Sequence, residues 1–262
     1  MKTILCVSIL ELENLLRKKL VWLIAGGYAL AALAVCLLDG FRMSYFYDVE
    51  SLPVELANFV EPYFLAAALI AALAPAFTGD REQNLGQLSA TCLAGRKGRC
   101  AAKLLAAVGF AAVLRGIFWG ISVLVPAACG RFDGTLPVEA PGGELGIPAG
   151  WTVSRYLLFS LAAGAIGCVV LSVLLLYVSC AASSTAAALS AAGTGVLFEF
   201  LFHRFSFFIL LKEYNLWMFL KPYSFFCMSL LPFSPAGNLL ALWAAVMPVC
   251  GAAGWGILKK GI

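Results

Sequence analysis

Apolar runs of about 18 or more residues recur along the chain, and a run of that length can cross the hydrocarbon core of a bilayer as one helix. Only 12% of the 262 residues are charged, whereas 62% are hydrophobic. A soluble domain of this size needs more charged surface than that to stay dispersed. The sequence therefore predicts an all-α integral membrane protein, with residues 1–262 forming a single transmembrane domain.

Six segments of the chain are predicted to cross the membrane. They cover residues 20–38, 59–77, 104–129, 156–178, 185–202 and 238–258. The interval 130–153 is rich in Gly and Pro, which predicts an external loop without a core of its own. A tight turn is predicted at residues 179–184, between the fourth and fifth crossings.

Residues 3–19 are predicted to form an interfacial elbow helix ahead of the first crossing. Four apolar side chains recur at spacings of four, three and four and therefore share one helical face: Leu5, Ile9, Leu12 and Leu16. The segment ends in a basic triplet at 17–19, which suits the headgroup region on the cytosolic side. The alternative is a cytosolic extension of the first crossing.

The stretch at residues 203–237 is predicted to hold short re-entrant helices in the outer leaflet, without a seventh crossing. It is rich in aromatic residues, but Lys212, Glu213 and several prolines interrupt it. No unbroken apolar run there reaches spanning length. Broken helices are tolerated at membrane depth only where protein or water covers their backbone ends.

Residues 78–103, here called the polar island, separate the second and third predicted crossings. Seven charged residues lie there: Asp80, Arg81, Glu82, Arg96, Lys97, Arg99 and Lys103. A segment this polar is predicted to lie in water, and its five cations indicate the cytosolic side. Its N-terminal half is predicted to form a short amphipathic helix, whose exposed Leu85 and Leu88 suggest a docking surface for a soluble partner.

We expect the protein to lie in the plasma membrane. The distribution of lysine and arginine predicts that both termini lie in the cytosol, because cytosolic loops collect these residues. Eleven cations lie in segments predicted to be inside: Lys2, Arg17, Lys18, Lys19, Arg81, Arg96, Lys97, Arg99, Lys103, Lys259 and Lys260. Six lie in segments predicted to be outside or at a boundary: Arg42, Arg131, Arg155, Arg204, Lys212 and Lys221.

Motifs for common enzymatic chemistry are missing from the sequence. The only lysine followed by Ser or Thr is Lys2, with no glycine loop before it, so the chain has no P-loop. His203 is the single histidine, and neither H-E-x-x-H nor G-x-S-x-G is present. We therefore expect no enzymatic activity, no metal and no cofactor. The cations are spread over loop ends, so nucleic acid is not an expected partner.

The nine cysteines contain no C-x-x-C pair, and most lie within apolar runs, where Cys behaves as a small hydrophobe. Cys129 and Cys227 are the two that are predicted to face the oxidising side together. The sequence does not set their separation, so it leaves open whether they form a disulfide.

Arg115 is the charge that most needs a partner. It follows Lys103 by twelve residues, or about 18 Å along a helix, which places it near the bilayer centre. An ionisable residue there is costly and points inward to a partner or water. Glu61 and Glu199 are the predicted acidic partners, and both a structural ion pair and a substrate contact remain open. Gly116 and Gly120 beside it form a G-x-x-x-G pattern.

The polar island carries a recognisable order of residue types: acidic residue, Gly, a Leu/Ser/Thr run, Gly-Arg, and a Lys that opens the next crossing. The residues are Asp80, Glu82, Gly86, Leu88, Ser89, Thr91, Gly95, Arg96 and Lys103. With the elbow helix, six crossings and re-entrant segment, this order resembles ABC-2 type transporter permeases, the membrane subunits of type V ABC exporters. Cys92 stands where family members often have Pro.

The resemblance implies a permease subunit that works with a separate ABC ATPase and with a second permease copy or a related permease. The polar island would be the coupling helix, which contains these ATPase-coupling residues: Asp80, Glu82, Leu85, Gly86, Leu88, Gly95 and Arg96. ATP and magnesium would be bound by the partner subunit. The cargo, moved outward between the two permeases, would be an amphipathic drug, peptide or lipid-like molecule.

Two other classes of function are alternatives. A stand-alone secondary transporter or channel requires polar or broken helices at the midplane, and often an inverted repeat. A membrane assembly factor requires no transport at all. A gene for a P-loop ATPase beside this one would favour the exporter.

Overall fold

The computed structural model of the protein describes most of the chain. It covers residues 2–38, 51–83, 95–138, 147, 150–204, 220, 226 and 235–260. Nearly all of these residues are helical, and they include no β-strand, only an isolated bridge between Pro137 and Thr152. The predicted all-α class is therefore confirmed.

The helices follow one another along the chain with few breaks. They are α1 (Lys2–Leu16), α2 (Lys19–Leu37), α3 (Leu52–Glu55), a π-helical turn (Leu56–Val60), α4 (Glu61–Leu73), α5 (Pro75–Glu82), α6 (Gly95–Ala128), α7 (Val153–Ala181), α8 (Thr185–Arg204) and α9 (Pro235–Lys260).

Four helical segments in the described ranges are long and apolar enough to cross a membrane, which indicates a membrane protein. They are Lys19–Leu37, Leu52–Glu82, Lys97–Ala128 and Val153–Ala181. They match the first four predicted crossings. The predicted fifth and sixth crossings coincide with α8 and α9, which are helical but are not among these four. Six crossings therefore remain a prediction.

The second of these segments is longer than the predicted crossing at 59–77. It joins α3, the π-helical turn, α4 and α5 into one helical stretch. Its three prolines, Pro53, Pro62 and Pro75, each lie in the first turn of one of these helices. Pro53 lies at the start of the whole stretch, so its missing backbone N–H removes no helical hydrogen bond, whereas Pro62 and Pro75 lack the N–H inside the stretch. The prolines divide this stretch into sections without ending it.

Helix α6 is the centre of the bundle and contacts α1, α2, α4 and α7. Its buried Phe110, Leu114 and Phe118 form the main core together with Leu65 and Leu69 of α4. Small side chains fill much of the remaining space. The polar side chains described below lie within this apolar packing, so each of them needs a partner nearby.

Helix α1 packs along the N-terminal half of α6. Ser8 and Leu15 are buried, whereas Leu5 and Ile9 are 60% and 57% exposed. The predicted apolar face is thus directed partly outward, and a mixed face of α1 contacts α6. Its placement in the membrane interface as an elbow remains a prediction.

The external loop at 130–153 was predicted to lack a core of its own, and its described ends instead pack into a core that they share with neighbouring helices. The Val138 N–H donates to the Trp151 carbonyl at 3.0 Å. Val138 and Val153 are buried in a small second core with Val54 and Tyr156. Hydropathy along the sequence missed this core because its members come from three separate segments. Most of the predicted re-entrant segment, 203–237, lies outside the described residues.

Candidate functional site

Arg115 on α6 and Glu61 at the start of α4 form an ion pair inside the bundle. The contact joins Arg115 Nη1 to Glu61 Oε1, and neither side chain has any exposed surface. Of the two acidic residues predicted as partners, the structure thus places Glu61 against Arg115. The side chain of Glu199 on α8 lies outside the described residues.

Hydroxyl groups extend this pair on the carboxylate side. The Ser122 hydroxyl lies 2.6 Å from Glu61 Oε2, to which it donates, and 2.6 Å from the Tyr28 hydroxyl. Tyr28 therefore donates to Ser122, and the chain of hydrogen bonds runs from α2 through α6 to α4. The Tyr28 ring stacks on Phe118 with centroids 5.2 Å apart. The aromatic packing fixes the hydroxyl in place.

On its other side the Arg115 guanidinium contacts α7. Arg115 Nη2 donates to both the backbone carbonyl and the hydroxyl of Ser160, each at 2.8 Å. Arg115 Nε has no hydrogen-bond acceptor among the described residues. The guanidinium also lies directly against Gly164, where the absence of a side chain makes room for it. Hereafter the buried network means Tyr28, Glu61, Arg115, Ser122 and Ser160.

The network is closed to its surroundings. Tyr28, Glu61, Arg115, Ser122 and Ser160 are all fully buried. A buried charge pair of this kind costs desolvation energy, and losing one partner is strongly destabilising. The arrangement ties four helices, α2, α4, α6 and α7, at one level of the bundle. The network therefore stabilises the packing of these four helices.

The hydroxyl partners of Arg115 and Glu61 were not predicted from the sequence, although two spacings indicate them. Ser122 follows Arg115 by seven residues, or two helical turns, and so lies on the same face of α6. Ser160 and Gly164 form a small-xxx-small pattern on α7, which permits close helix approach. The predicted pattern at Gly116 and Gly120 has no such role, since a Cβ atom added at either glycine would have no described atom of another helix within 4 Å.

A second polar group, here called the charge cluster, lies where α1, α5 and α6 meet. It consists of Glu11, Lys18, Asp80, Arg99 and Lys103. Asp80 Oδ2 accepts from Arg99 Nη2 at 3.0 Å and from Lys103 Nζ at 2.8 Å, and Arg99 Nε is 3.9 Å from Glu11 Oε1. These ion pairs join the end of α5 to the start of α6 and to α1.

The two lysines of the charge cluster also hold backbone groups. Lys103 Nζ donates to the Ala76 carbonyl at 2.5 Å, and Lys18 Nζ donates to the Ala72 carbonyl at 2.6 Å. Both acceptors lie beside Pro75, at the junction of α4 and α5. Burial, and then repulsion by the Lys103 ammonium, lower the pKa of Lys18 to about 8.

The last turn of α5 is bonded to the turn between α7 and α8. Arg81 donates to the carbonyls of Cys180 and Ala182 at 2.5 and 2.7 Å. Glu82 accepts from the backbone N–H and the hydroxyl of Thr185 at 2.7 and 2.8 Å. Carbonyls at a helix end attract a cation, and N–H groups at a helix start attract an anion. Arg81 and Glu82 therefore match the two helix ends that they face.

The described parts of the polar island, 78–83 and 95–103, are the ends of α5 and α6, and they pack in part against neighbouring helices. Its placement in water on the cytosolic side remains a prediction. Gly95 begins α6 with φ of 63°, a conformation that favours glycine. Leu85, Gly86, Leu88 and the Arg96 side chain lie outside the described residues.

The described cysteines are free thiols, and two of them are neighbours. Cys36, in the last turn of α2, interacts electrostatically with Cys129, which follows α6. The candidate partner from the sequence, Cys227, lies outside the described residues. No group of three metal-binding side chains occurs within the described ranges.

Comparisons with known proteins add no relationship. No protein-family model matches the chain, and no curated protein matches it.

Proposed function

We propose that this chain is the permease subunit of an ATP-driven ABC exporter and that it binds a separate ATPase through the segment at 80–99. The observation that carries the proposal is the set of contacts at the two ends of this segment. They connect it to five helices of the bundle. A segment so connected is suited to pass a movement from a soluble partner into the membrane.

The first connection is between the two helices that the segment joins. Asp80 on α5 is paired with Arg99 and Lys103 on α6, one and two turns into that helix. Salt bridges to one shared carboxylate restrict the relative motion of α5 and α6. A movement of the bound ATPase would thus displace α5 and α6 together, as a rigid body.

The second connection leads to α7 and α8. Arg81 and Glu82 hold the Cys180–Thr185 turn from opposite sides, and the Phe77 N–H donates to the Ser179 hydroxyl at 2.9 Å. Glu11 on α1 extends the contacts to a fifth helix. The proposed coupling movement would therefore reach α1, α5, α6, α7 and α8.

The closed buried network argues against a substrate path through the middle of a single copy. A stand-alone transporter that used Arg115 or Glu61 would need a route from them to water, and both side chains have no exposed surface. In our proposal the cargo, an amphipathic drug, peptide or lipid-like molecule, passes between two permease copies. The chain crosses the plasma membrane six times with both termini in the cytosol.

Co-purification with a candidate ABC ATPase, taken from a gene beside this one if one is found there, tests the proposal. We expect the complex to form with the wild-type chain and to be lost when Leu85, Leu88 and Arg96 are all changed to Asp. Leu136→Asp is the control for replacing an exposed leucine by aspartate, because Leu136 lies beyond the far end of α6. A triple variant that still binds the ATPase as well as this control would refute the proposal.

A second variant separates binding from coupling. Asp80→Asn weakens the connection between α5 and α6 without altering the residues between them. We expect this variant to bind the ATPase normally but to lose transport and substrate-stimulated ATP hydrolysis. Normal transport by the Asp80→Asn variant would contradict the coupling route.

A further inference from the structure

A cavity of about 430 Å³ opens between α1, α5, α6 and α7, directly beside the charge cluster. Its polar lining includes Lys18 and Asn14 from the α1 end, Asp80 and Gln83 from α5, and Arg99 and Lys103 from α6. A space of this size can hold several water molecules or a small charged headgroup. Its chemistry is set by the balance of charge on its walls.

Positive charge is in excess around this cavity. Three cations, Lys18, Arg99 and Lys103, face two carboxylates, Asp80 and Glu11. Asp80 is shared by Arg99 and Lys103, and Glu11 lies near Arg99. In the part of the chain that the structure describes, the Lys18 ammonium forms no ion pair with a carboxylate, and its one hydrogen bond there is to the Ala72 carbonyl. One ammonium group is thus left without a counter-charge.

The lowered pKa of Lys18 is consistent with the excess of positive charge around the cavity. Its ammonium is largely buried and is repelled by Lys103, and these two effects lower its pKa to about 8 despite the attraction of Glu11 and Asp80. An anion in the cavity would lower the cost of keeping Lys18 charged. The side-chain amides of Asn14 and Gln83 line the same space and can donate to such an anion.

The position of the cavity favours a lipid as the source of the anion. Lys18 immediately precedes α2, the first candidate membrane span, which begins at Lys19. The cavity therefore lies at the level where that span enters the headgroup region. Basic pockets between membrane helices at this depth suit anionic phosphate headgroups.

We propose that this cavity binds a phosphate group carrying one negative charge, as the phosphodiester of an anionic lipid does, with Lys18 as its main cation. Arg99 and Lys103 add positive charge and hold the walls in place through Asp80. Asn14 and Gln83 donate hydrogen bonds to the phosphate oxygens. The site does not depend on transport or on an ATPase, so it can be tested on the isolated chain.

The test uses the purified full-length protein in a neutral detergent, titrated with phosphatidylglycerol, with phosphatidylcholine or with inorganic phosphate. Bound lipid is counted by native mass spectrometry, and thermal stability is followed in parallel. We expect phosphatidylglycerol to bind and stabilise, and phosphatidylcholine to do so far less. Lys18→Gln should weaken phosphatidylglycerol binding about tenfold, the loss expected for one charge-assisted contact.

Arg17→Gln is the matched control, because Arg17 is the adjacent cation but its side chain is 75% exposed and pairs with Glu13. This variant should bind phosphatidylglycerol like the wild type. Lys18→Arg, which keeps the charge, should restore most of the affinity lost in Lys18→Gln. It also provides a folded comparison if Lys18→Gln is poorly produced.

The pH dependence gives an independent measurement. Phosphatidylglycerol keeps its charge across this range, whereas free Lys18 loses its proton above pH 8. Affinity should therefore fall as the pH rises through about 8 in the wild type, and it should be flat in Lys18→Arg. Equal protection by inorganic phosphate would identify a free phosphate as the ligand of the same site. Binding that is unchanged in Lys18→Gln, or equal for both lipids, would overturn the proposal.

Discussion

The guanidinium of Arg115 occupies the space where Gly164 would carry a side chain. A Cβ atom at position 164 would lie 2.5 Å from Arg115 Cζ and 2.8 Å from Nη2, closer than non-bonded atoms can stand. Both residues belong to the buried core between α6 and α7. The charge at the centre of the protein is therefore accommodated by the smallest residue on the neighbouring helix.

Gly164→Ala should accordingly destabilise the protein. Overpacking a rigid core costs about 1–3 kcal/mol, and displacing Arg115 would also weaken its contacts with Ser160 and Glu61. Thermal unfolding in detergent measures the effect. Gly116→Ala is the matched control, because nothing lies within 4 Å of an added Cβ there. Equal stability of the two variants would contradict this packing.

Removing Arg115 alone should be costlier than removing the pair. Arg115→Met leaves the Glu61 carboxylate buried without its cation, which costs about 3–5 kcal/mol in comparable sites. Adding Glu61→Gln takes away the uncompensated charge, so the double variant should recover much of the lost stability. Expression level and thermal unfolding report both effects. A double variant no more stable than Arg115→Met would refute a structural pair and favour a substrate contact.

The contribution of Lys18 to the stability of the lipid-free protein should rise between about pH 8 and pH 10. The folded-state pKa of Lys18 is lowered to about 8 from 10.5, so in this interval the unfolded chain binds more protons than the folded one. Raising the pH then favours the folded state, and the penalty for charging Lys18 is fully present only below pH 8. The rise should be smaller in Lys18→Met than in the exposed control Lys19→Met, as measured by thermal unfolding at each pH.

The predicted topology can be tested at the segment before α9. In a cysteine-free background, Lys212→Cys and Gly237→Cys should both react with a membrane-impermeant maleimide added outside intact cells. Both positions are predicted to be external if residues 205–236 only dip into the outer leaflet. Cytosolic labelling at either position would change the number of crossings.

The sequence predicts the helices well and their contacts less well. Apolar length alone locates α2, α6 and α7 to within a few residues at most ends, because hydrocarbon thickness sets the length of a span. The cost of a charge in hydrocarbon likewise predicts that Arg115 has an inward-facing partner. Both inferences rest on properties of single segments.

The remaining features depend on how segments are rotated and paired. Hydropathy cannot indicate that Ser160 rather than another hydroxyl faces Arg115, since that follows from the packing of α7. Hydropathy also cannot indicate that Asp80 pairs with both Arg99 and Lys103. It therefore suggests more solvent exposure for the polar island than its described ends have. The π-helical turn before Glu61 cannot be predicted from the sequence either, because it has no distinct composition.

The position of Glu61 in the chain has a consequence for biosynthesis. A polypeptide is made from its N-terminus, so α4 is complete before the ribosome reaches α6. Arg115, whose charge is costly in lipid, then enters a membrane that already contains its carboxylate. Ser160 and Gly164 are made after both members of the pair. Glu61 is therefore synthesised before Arg115, the cation that it neutralises.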